Sequence, residues 1–279
     1  MGDIGFINGE FMSLGEARVP VEDRGFQFGD GVYEVIRTYE GRPFQIQAHL
    51  SRLERSASAV EIQIPYTRAE WMAFVQRGIE LGGYSESKIY IQLTRGVAPR
   101  DHSFPSHSIP TAVITVRSMT VMDPLLQVAG VQSVTIPDLR WGRCDIKTIN
   151  LLPNVLARQR AKAAGAFEAI LFRGENVTEG SVSNVMAVKG GVLITPPSDE
   201  RILAGITRSV VLGLARKDGI PVEERILTCK ELERADEVFL TGTTIEVMPV
   251  VAIDAIKVGH GKPGPIAVHL IDSFRGECH

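Results

Sequence analysis

Arg140-Trp141-Gly142-Arg143-Cys144-Asp145-Ile146-Lys147-Thr148, joined downstream by Val177-Thr178-Glu179-Gly180-Ser181-Val182-Ser183-Asn184, is the part of the chain around which the rest is organised. Lys147 has an apolar neighbour in Ile146 and two arginines a few residues upstream. Burial and like charge are the two ways of turning a lysine side chain into a nucleophilic amine. Taken alone, Lys147 reads as one more solvated surface lysine.

Glu179 changes that reading, because it lies in a turn-like, hydroxyl-rich segment. An aldehyde cofactor with a ring nitrogen needs an amine to hold it and an acid to keep the nitrogen protonated. Arg143-Cys144-Asp145-Ile146-Lys147, Thr178-Glu179-Gly180 and Ser183-Asn184 together closely resemble the fold-type-IV pyridoxal-phosphate aminotransferases, the D-amino-acid aminotransferases above all. The resemblance covers nearly the whole chain. It implies pyridoxal 5'-phosphate as cofactor and an α+β fold of two domains, a small N-terminal α/β domain and a larger C-terminal mixed, β-barrel-like domain with helices.

Composition agrees with a folded enzyme. The chain has 279 residues and is 44% hydrophobic, which is enough for packed cores. Its net charge is −3 and it has no long Lys/Arg run, so neither nucleic acid nor an anionic membrane is indicated as partner. Cys144, Cys229 and Cys278 are widely spaced and lack a CxxC pair, which argues against a disulfide framework or a zinc site; no metal is expected. Met1-Gly2-Asp3-Ile4-Gly5-Phe6 lacks a signal-peptide pattern, and no apolar run reaches membrane-spanning length, so a cytoplasmic location is expected.

Asn8-Gly9 between apolar runs predicts a hairpin, and Gly29 to Tyr39 alternates as a strand. A helix is expected over about Gln47 to Val60. Thr67-Arg68-Ala69-Glu70 reads as a capping box for a second helix carrying Trp71, Phe74, Val75 and Ile79 on one face and ending near Gly82-Gly83. Strands follow at Lys88 to Thr94 and Ala112 to Val116. Asp123-Pro124 breaks any regular pattern within Met119 to Gly130, and the boundary falls there, giving domains 1–120 and 121–279, the second carrying Lys147. The second half offers strands near Val131 to Ile136, Ala169 to Leu171, Val185 to Val188, Val192 to Thr195 and Val238 to Leu240. Its helices fall near Leu152 to Ala164, Thr207 to Lys217 and Cys229 to Arg234.

Phosphate needs directed N–H and hydroxyl donors, which a helix N-terminus supplies. Gly205-Ile206-Thr207-Arg208 and Thr241-Gly242-Thr243-Thr244 are two such cradles, although either alone would read as an ordinary cap or turn. The resemblance assigns roles to the matching positions. Lys147 becomes the Schiff-base lysine and Glu179 the partner of the ring nitrogen. The phosphate falls to Arg52, Ile206, Thr207, Thr243 and Thr244, and Leu203 packs behind the ring. Without the motif, Arg52 would read as a surface helix arginine.

Arg100 and His102, two apart in Pro99-Arg100-Asp101-His102, would face one side of an extended loop. An arginine fork with a neighbouring His and Tyr suits a carboxylate. In the resembled D-amino-acid enzymes the matching Arg and His, with a Tyr at the position of Tyr33, trap the substrate carboxylate across a homodimer interface. Val182 and Met186 depart from the usual serine and aromatic there, which implies a more apolar pocket wall. His49, His107, His260, His269 and His279 show no pairing in sequence and read as surface or structural.

The expected reaction is ping-pong transamination of D-amino acids such as D-alanine with 2-oxoglutarate or pyruvate. Rivals are a branched-chain L-aminotransferase, an R-selective amine transaminase, an aminodeoxychorismate lyase, and a binding protein that has lost the chemistry. Retention of Lys147 and Glu179 speaks against the last.

Overall fold

The structure, a computed structural model, describes residues 2–278, so His279 lies outside the described residues. Packing divides the chain into two compact units, residues 1–121 with 146–150, and residues 122–145 with 151–279. The segment carrying Lys147 therefore packs in the first unit, where the sequence had put it in the second. The cause is a set of contacts distant in sequence. Tyr33 N–H donates to the Lys147 carbonyl at 3.0 Å, Ile149 N–H to Gly31 at 3.1 Å, Thr148 bridges Val32, and Ile146 joins the core.

In the first unit the hairpin β1 (Ile4–Ile7) and β2 (Glu10–Ser13) turns at Asn8-Gly9, both at positive φ. The short helix α1 (Arg24–Phe28) precedes β3 (Gly31–Tyr39) and β4 (Arg42–Pro43). Helices α2 (Ile46–Ala59) and α3 (Arg68–Gly82) lead into β5 (Ser87–Thr94) and β6 (Thr111–Ser118). The strands form one antiparallel sheet in the order β2-β1-β6-β5-β3-β4. Alternation along these strands turns Phe6, Ile36, Ile89, Ile91, Leu93 and Ile114 into the core. The capping box is formed as read, with Thr67 N–H donating to Glu70 at 2.7 Å. It aims α3 so that Trp71 and Val75 are buried, each worth about 2 kcal/mol.

The second unit opens with α4 (Pro124–Ala129) and β7 (Val131–Pro137), then α5 (Leu152–Ala163). Strands β8 (Glu168–Arg173), β9 (Asn176–Gly180), β10 (Asn184–Lys189) and β11 (Val192–Thr195) precede helix α6 (Ile206–Lys217). The chain closes with β12 (Val222–Glu224), α7 (Cys229–Glu233), β13 (Glu237–Gly242), β14 (Glu246–Ile253), β15 (Ile256–Lys257) and α8 (Pro265–Cys278). All nine strands belong to one curled, mixed half-barrel sheet in the order β12-β11-β10-β13-β14-β7-β8-β9, with β15 on β14.

Two local expectations are corrected. Asp123-Pro124 starts a helix, because the Asp123 carboxylate caps Leu125 N–H at 2.9 Å and Pro124 occupies the first helical position, where its missing N–H costs nothing. Glu179 stands on β9 and not in a turn; the turn follows it at residues 181–183.

Candidate active site

The first unit holds Lys147 half-buried, its Nζ 4.3 Å from the centroid of the Tyr33 ring. Its backbone N–H donates to Ser56 Oγ on α2 at 3.2 Å. Tyr33 lies on β3 and stacks at 5.6 Å on Tyr90, whose hydroxyl donates to Gln92 and whose pKa is raised by burial and by Tyr33. The two upstream arginines both pair with carboxylates of the second unit, Arg143 with Asp145 at 2.8 Å and Arg140 with Asp138 and Glu179.

Beneath this surface runs a buried ionic network. Glu34, the residue after Tyr33, is fully buried and accepts from Arg52 Nε at 2.7 Å and Nη2 at 2.8 Å. His49 Nδ1 donates to the same carboxylate at 2.8 Å. Burial alone would raise the Glu34 pKa, but the charge and hydrogen bond of Arg52, joined by His49, hold it down to about 2. Burial pushes the His49 pKa down against the pull of Glu34, and the charges of Arg52 and Lys147 add to the push.

Of the surface or structural roles expected for His49, the structure shows the structural one, since His49 is buried and paired, and Arg52, which would read as a surface arginine only without its motif, is buried beside it. The signal was the spacing of His49 and Arg52 on α2, one turn apart and therefore able to reach one acceptor. His269 is paired too, with Asp218 at 2.8 Å, while His107 and His260 are exposed.

Arg100 and His102 are both exposed, and both meet Phe28 at the end of α1. The Arg100 Cζ lies 4.5 Å from the ring centroid and the His102 ring 5.4 Å away. The loop is bent and not extended, because the Asp101 carboxylate accepts Ser103 N–H at 2.9 Å. Arg24, buried beneath, binds the Asp101 carbonyl at 2.6 Å and Asp30 at 2.8 Å and touches the same Phe28 ring.

In the second unit Glu179 is 5% exposed and ringed by donors. Arg140 Nη1 pairs with its Oε1, and Asn184 Nδ2 and Leu203 N–H each donate to Oε2 at 3.0 Å. Arg140 is itself held by fully buried Asp138 at 2.8 and 2.9 Å, and Asp138 also takes Arg173 at 3.1 Å and Thr178 Oγ1 at 3.1 Å. Arg140 and Asn184 were quoted in the sequence motif without a role; Asp138, Glu34 and Arg24 carried no local signal at all.

Helix α6 begins at Gly205 with no side-chain cap, which leaves its first-turn amides, including those of Ile206 and Thr207, outside the helix's own ladder. Gly242, Thr243, Thr244 and Ile245 make the tight connection between β13 and β14, where Ile245 N–H donates to Gly242 at 3.2 Å. Thr241, leading into it, has a buried hydroxyl without a partner among the described residues. These groups fit pyridoxal phosphate in kind. A carboxylate set among three donors suits a cationic ring nitrogen, and uncapped amides with a spare hydroxyl suit phosphate. Among the described residues no group of three or more His, Cys, Asp or Glu could hold a metal, and no helix is long and apolar enough to cross a membrane.

The model of the amino-transferase class IV family matches residues 31–253. The D-alanine aminotransferase of Staphylococcus haemolyticus is 44% identical over 271 residues, 96% of this chain and 95% of that protein. The D-alanine aminotransferase of Listeria monocytogenes serotype 4b (strain F2365) is 44% identical over 96% of this chain and 93% of its own length. Among solved structures, the branched-chain amino acid aminotransferase of Escherichia coli superposes with a TM-score of 0.90 at 28% identity, covering 99% of this chain and 94% of that one. A second branched-chain amino acid aminotransferase, from T.th. and solved with pyridoxamine 5'-phosphate, gives 0.91 at 28% identity over 99% and 93%.

Proposed function

This chain belongs to the class IV aminotransferases, a pyridoxal-phosphate-dependent family, and from that membership we propose that it moves the amino group of D-amino acids, D-alanine foremost, to a 2-oxo acid. The observation that carries the reading is the 44% identity, along nearly the full chain, to D-alanine aminotransferases. The superpositions on branched-chain enzymes do not compete with it, because one fold hosts both activities and the choice rests on the residues that meet the substrate.

Bound to this chain, pyridoxal phosphate supplies an aldehyde that takes up the amino group and a ring that accepts electrons. In the proposal Lys147 would hold the aldehyde at rest and, once displaced, its amine would be the base that takes the α-proton of the amino donor and delivers it to the carbon that takes up the amino group. Glu179 accepts from the ring nitrogen, with Arg140 and Asn184 fixing its direction. Arg52, Ile206, Thr207, Thr243 and Thr244 hold the phosphate, and Leu203 packs behind the ring. Glu34 orients Arg52 for that task.

Tyr33, Arg100 and His102 would hold the substrate carboxylate, and the hand of the substrate is set by where that carboxylate is pinned relative to Lys147. We place Arg100 and His102 in the site of the other subunit of a homodimer, in keeping with their exposure in a single chain. The acceptor would be 2-oxoglutarate or pyruvate, turned over by a ping-pong sequence. Three free cysteines suit a reducing compartment, and we place the enzyme in the cytoplasm.

The test is a donor comparison. D-alanine, L-leucine and (R)-1-phenylethylamine are each incubated with 2-oxoglutarate, and D-alanine should turn over fastest. Preference for L-leucine with no D-alanine turnover would overturn the reading, and release of pyruvate from aminodeoxychorismate without an acceptor would point to a lyase.

A further inference from the structure

Asn184, the first residue of β10, touches two things that the proposed function needs held together. Its Nδ2 donates to Glu179 Oε2 at 3.0 Å and to the Leu203 carbonyl at 2.9 Å. Its Oδ1 fills the space where Gly205 lacks a side chain, so that a Cβ on Gly205 would stand 2.0 Å from it. Gly205 is the N-cap of α6, with φ −67° and ψ 137°, values any residue adopts. Glycine is therefore required there by the approach of Asn184 and not by backbone conformation. Leu203, two residues before Gly205, returns its own N–H to Glu179 at 3.0 Å.

We propose that Asn184 is a positioning residue that locks the Glu179 carboxylate and the N-terminus of α6 into one rigid body, so that the cofactor's ring nitrogen and phosphate meet their partners at a fixed separation. The inference rests on the proposed function, which supplies the ligand. When two contacts to one ligand are held at a fixed spacing, forming the first raises the effective concentration for the second. Loosening the spacing removes that gain while leaving each contact's own residues intact.

The experiment compares two probes, pyridoxal 5'-phosphate and pyridoxal, whose Kd ratio reads how much the phosphate adds. In the wild-type protein the ratio is large. Asn184→Ala should lower it by about tenfold, the scale of second-layer effects at bound-group sites, although every proposed phosphate donor is retained. Gly205→Ala, whose Cβ displaces the same carboxamide, should lower it similarly, and the double variant should be no worse than either single one. A residue that merely stabilised the fold would lower the melting temperature and leave the ratio alone.

A ratio within twofold of wild type in Asn184→Ala, or additive losses in the double variant, overturns the proposal. If Asn184→Ala does not fold, Gly205→Ala carries the ratio outcome by itself, and a ratio within twofold of wild type there overturns the proposal. Failure of the wild-type protein to bind pyridoxal phosphate would sink the functional reading instead, which separates the two results.

Discussion

Arg140 Nη1 pairs with Glu179 Oε1 where both side chains are less than one-tenth exposed, and Asp138, fully buried, grips the other side of the guanidinium. The carboxylate proposed for the ring nitrogen is thus held by a cation that is itself held by a second carboxylate. Arg140→Met leaves Glu179 buried without its cation, which should cost about 3–5 kcal/mol in urea unfolding and weaken pyridoxal phosphate binding. Arg140→Lys keeps the charge but cannot span Asp138 and Glu179 with a planar fork, so it should recover only part of the loss. Stability of Arg140→Met equal to wild type would show that the pair does not hold this site.

Acid sensitivity should begin at His49 and deepen at Glu34. Burial lowers the folded-state pKa of His49, so the unfolded chain takes up its proton first; stability is full above the unfolded value near 6.5 and falls below it. Glu34 drops from 4.5 unfolded to about 2 folded, so its contribution is present above pH 4.5 and is lost as pH falls toward 2. That second contribution is about 3 kcal/mol at full extent. Urea midpoints measured at pH 7, 5.5 and 4 should fall in two stages. His49→Gln should flatten the first, and a wild-type midpoint unchanged from pH 7 to 4 would contradict both assignments.

Substitutions in the bent loop should separate binding from folding. Arg100 and His102 are exposed and make few bonds within the chain, Arg100 to the Gln27 carbonyl at 3.2 Å and both against Phe28. Arg100→Ala and His102→Ala should leave the melting temperature within about 2 °C, as for exposed positions generally. Each should lower kcat/KM for D-alanine by about 10²-fold, chiefly through KM, if its carboxylate contact is buried in the working enzyme. Unchanged kinetics for both would remove them from the substrate site.

What could be read from the sequence was local. The Thr67 capping box, the α6 start beside Gly205 and the Asn8-Gly9 hairpin are set by neighbours within a few residues, and each is present. Strand β14 escaped because Pro249 argues against an interior strand. It is tolerated because pairing with β7 begins only at Val250 and shifts register before Ala252. Helix α8 is legible in sequence, since Ala267, Leu270, Ile271, Phe274 and Cys278 repeat at helical spacing after Pro265. The Glu34, His49 and Arg52 network and the packing of residues 146–150 beside β3 depend on where distant segments meet, and no local pattern encodes that.

Gly180 follows Glu179 directly, and its missing side chain is needed by the turn that comes next. A Cβ there would stand 2.0 Å from Ser183 Oγ, and Ser183 cannot retreat freely because it donates to Glu168 at 3.3 Å. Glu168 is 1% exposed and also binds Ser181 Oγ and, at 2.8 Å, Ala169 N–H, so the turn is pinned at several points. Gly180→Ala should therefore destabilise by about 1–3 kcal/mol, the range for forcing one carbon into a packed site. It should also weaken cofactor binding, because the strain falls on the residue beside Glu179. Adding Ser183→Ala removes the obstructing hydroxyl and should restore part of both losses. A Gly180→Ala protein that melts and binds like wild type would mean that the turn gives way without moving Glu179, and the rigidity argued for this carboxylate would then have to come from Arg140, Asn184 and the Leu203 N–H.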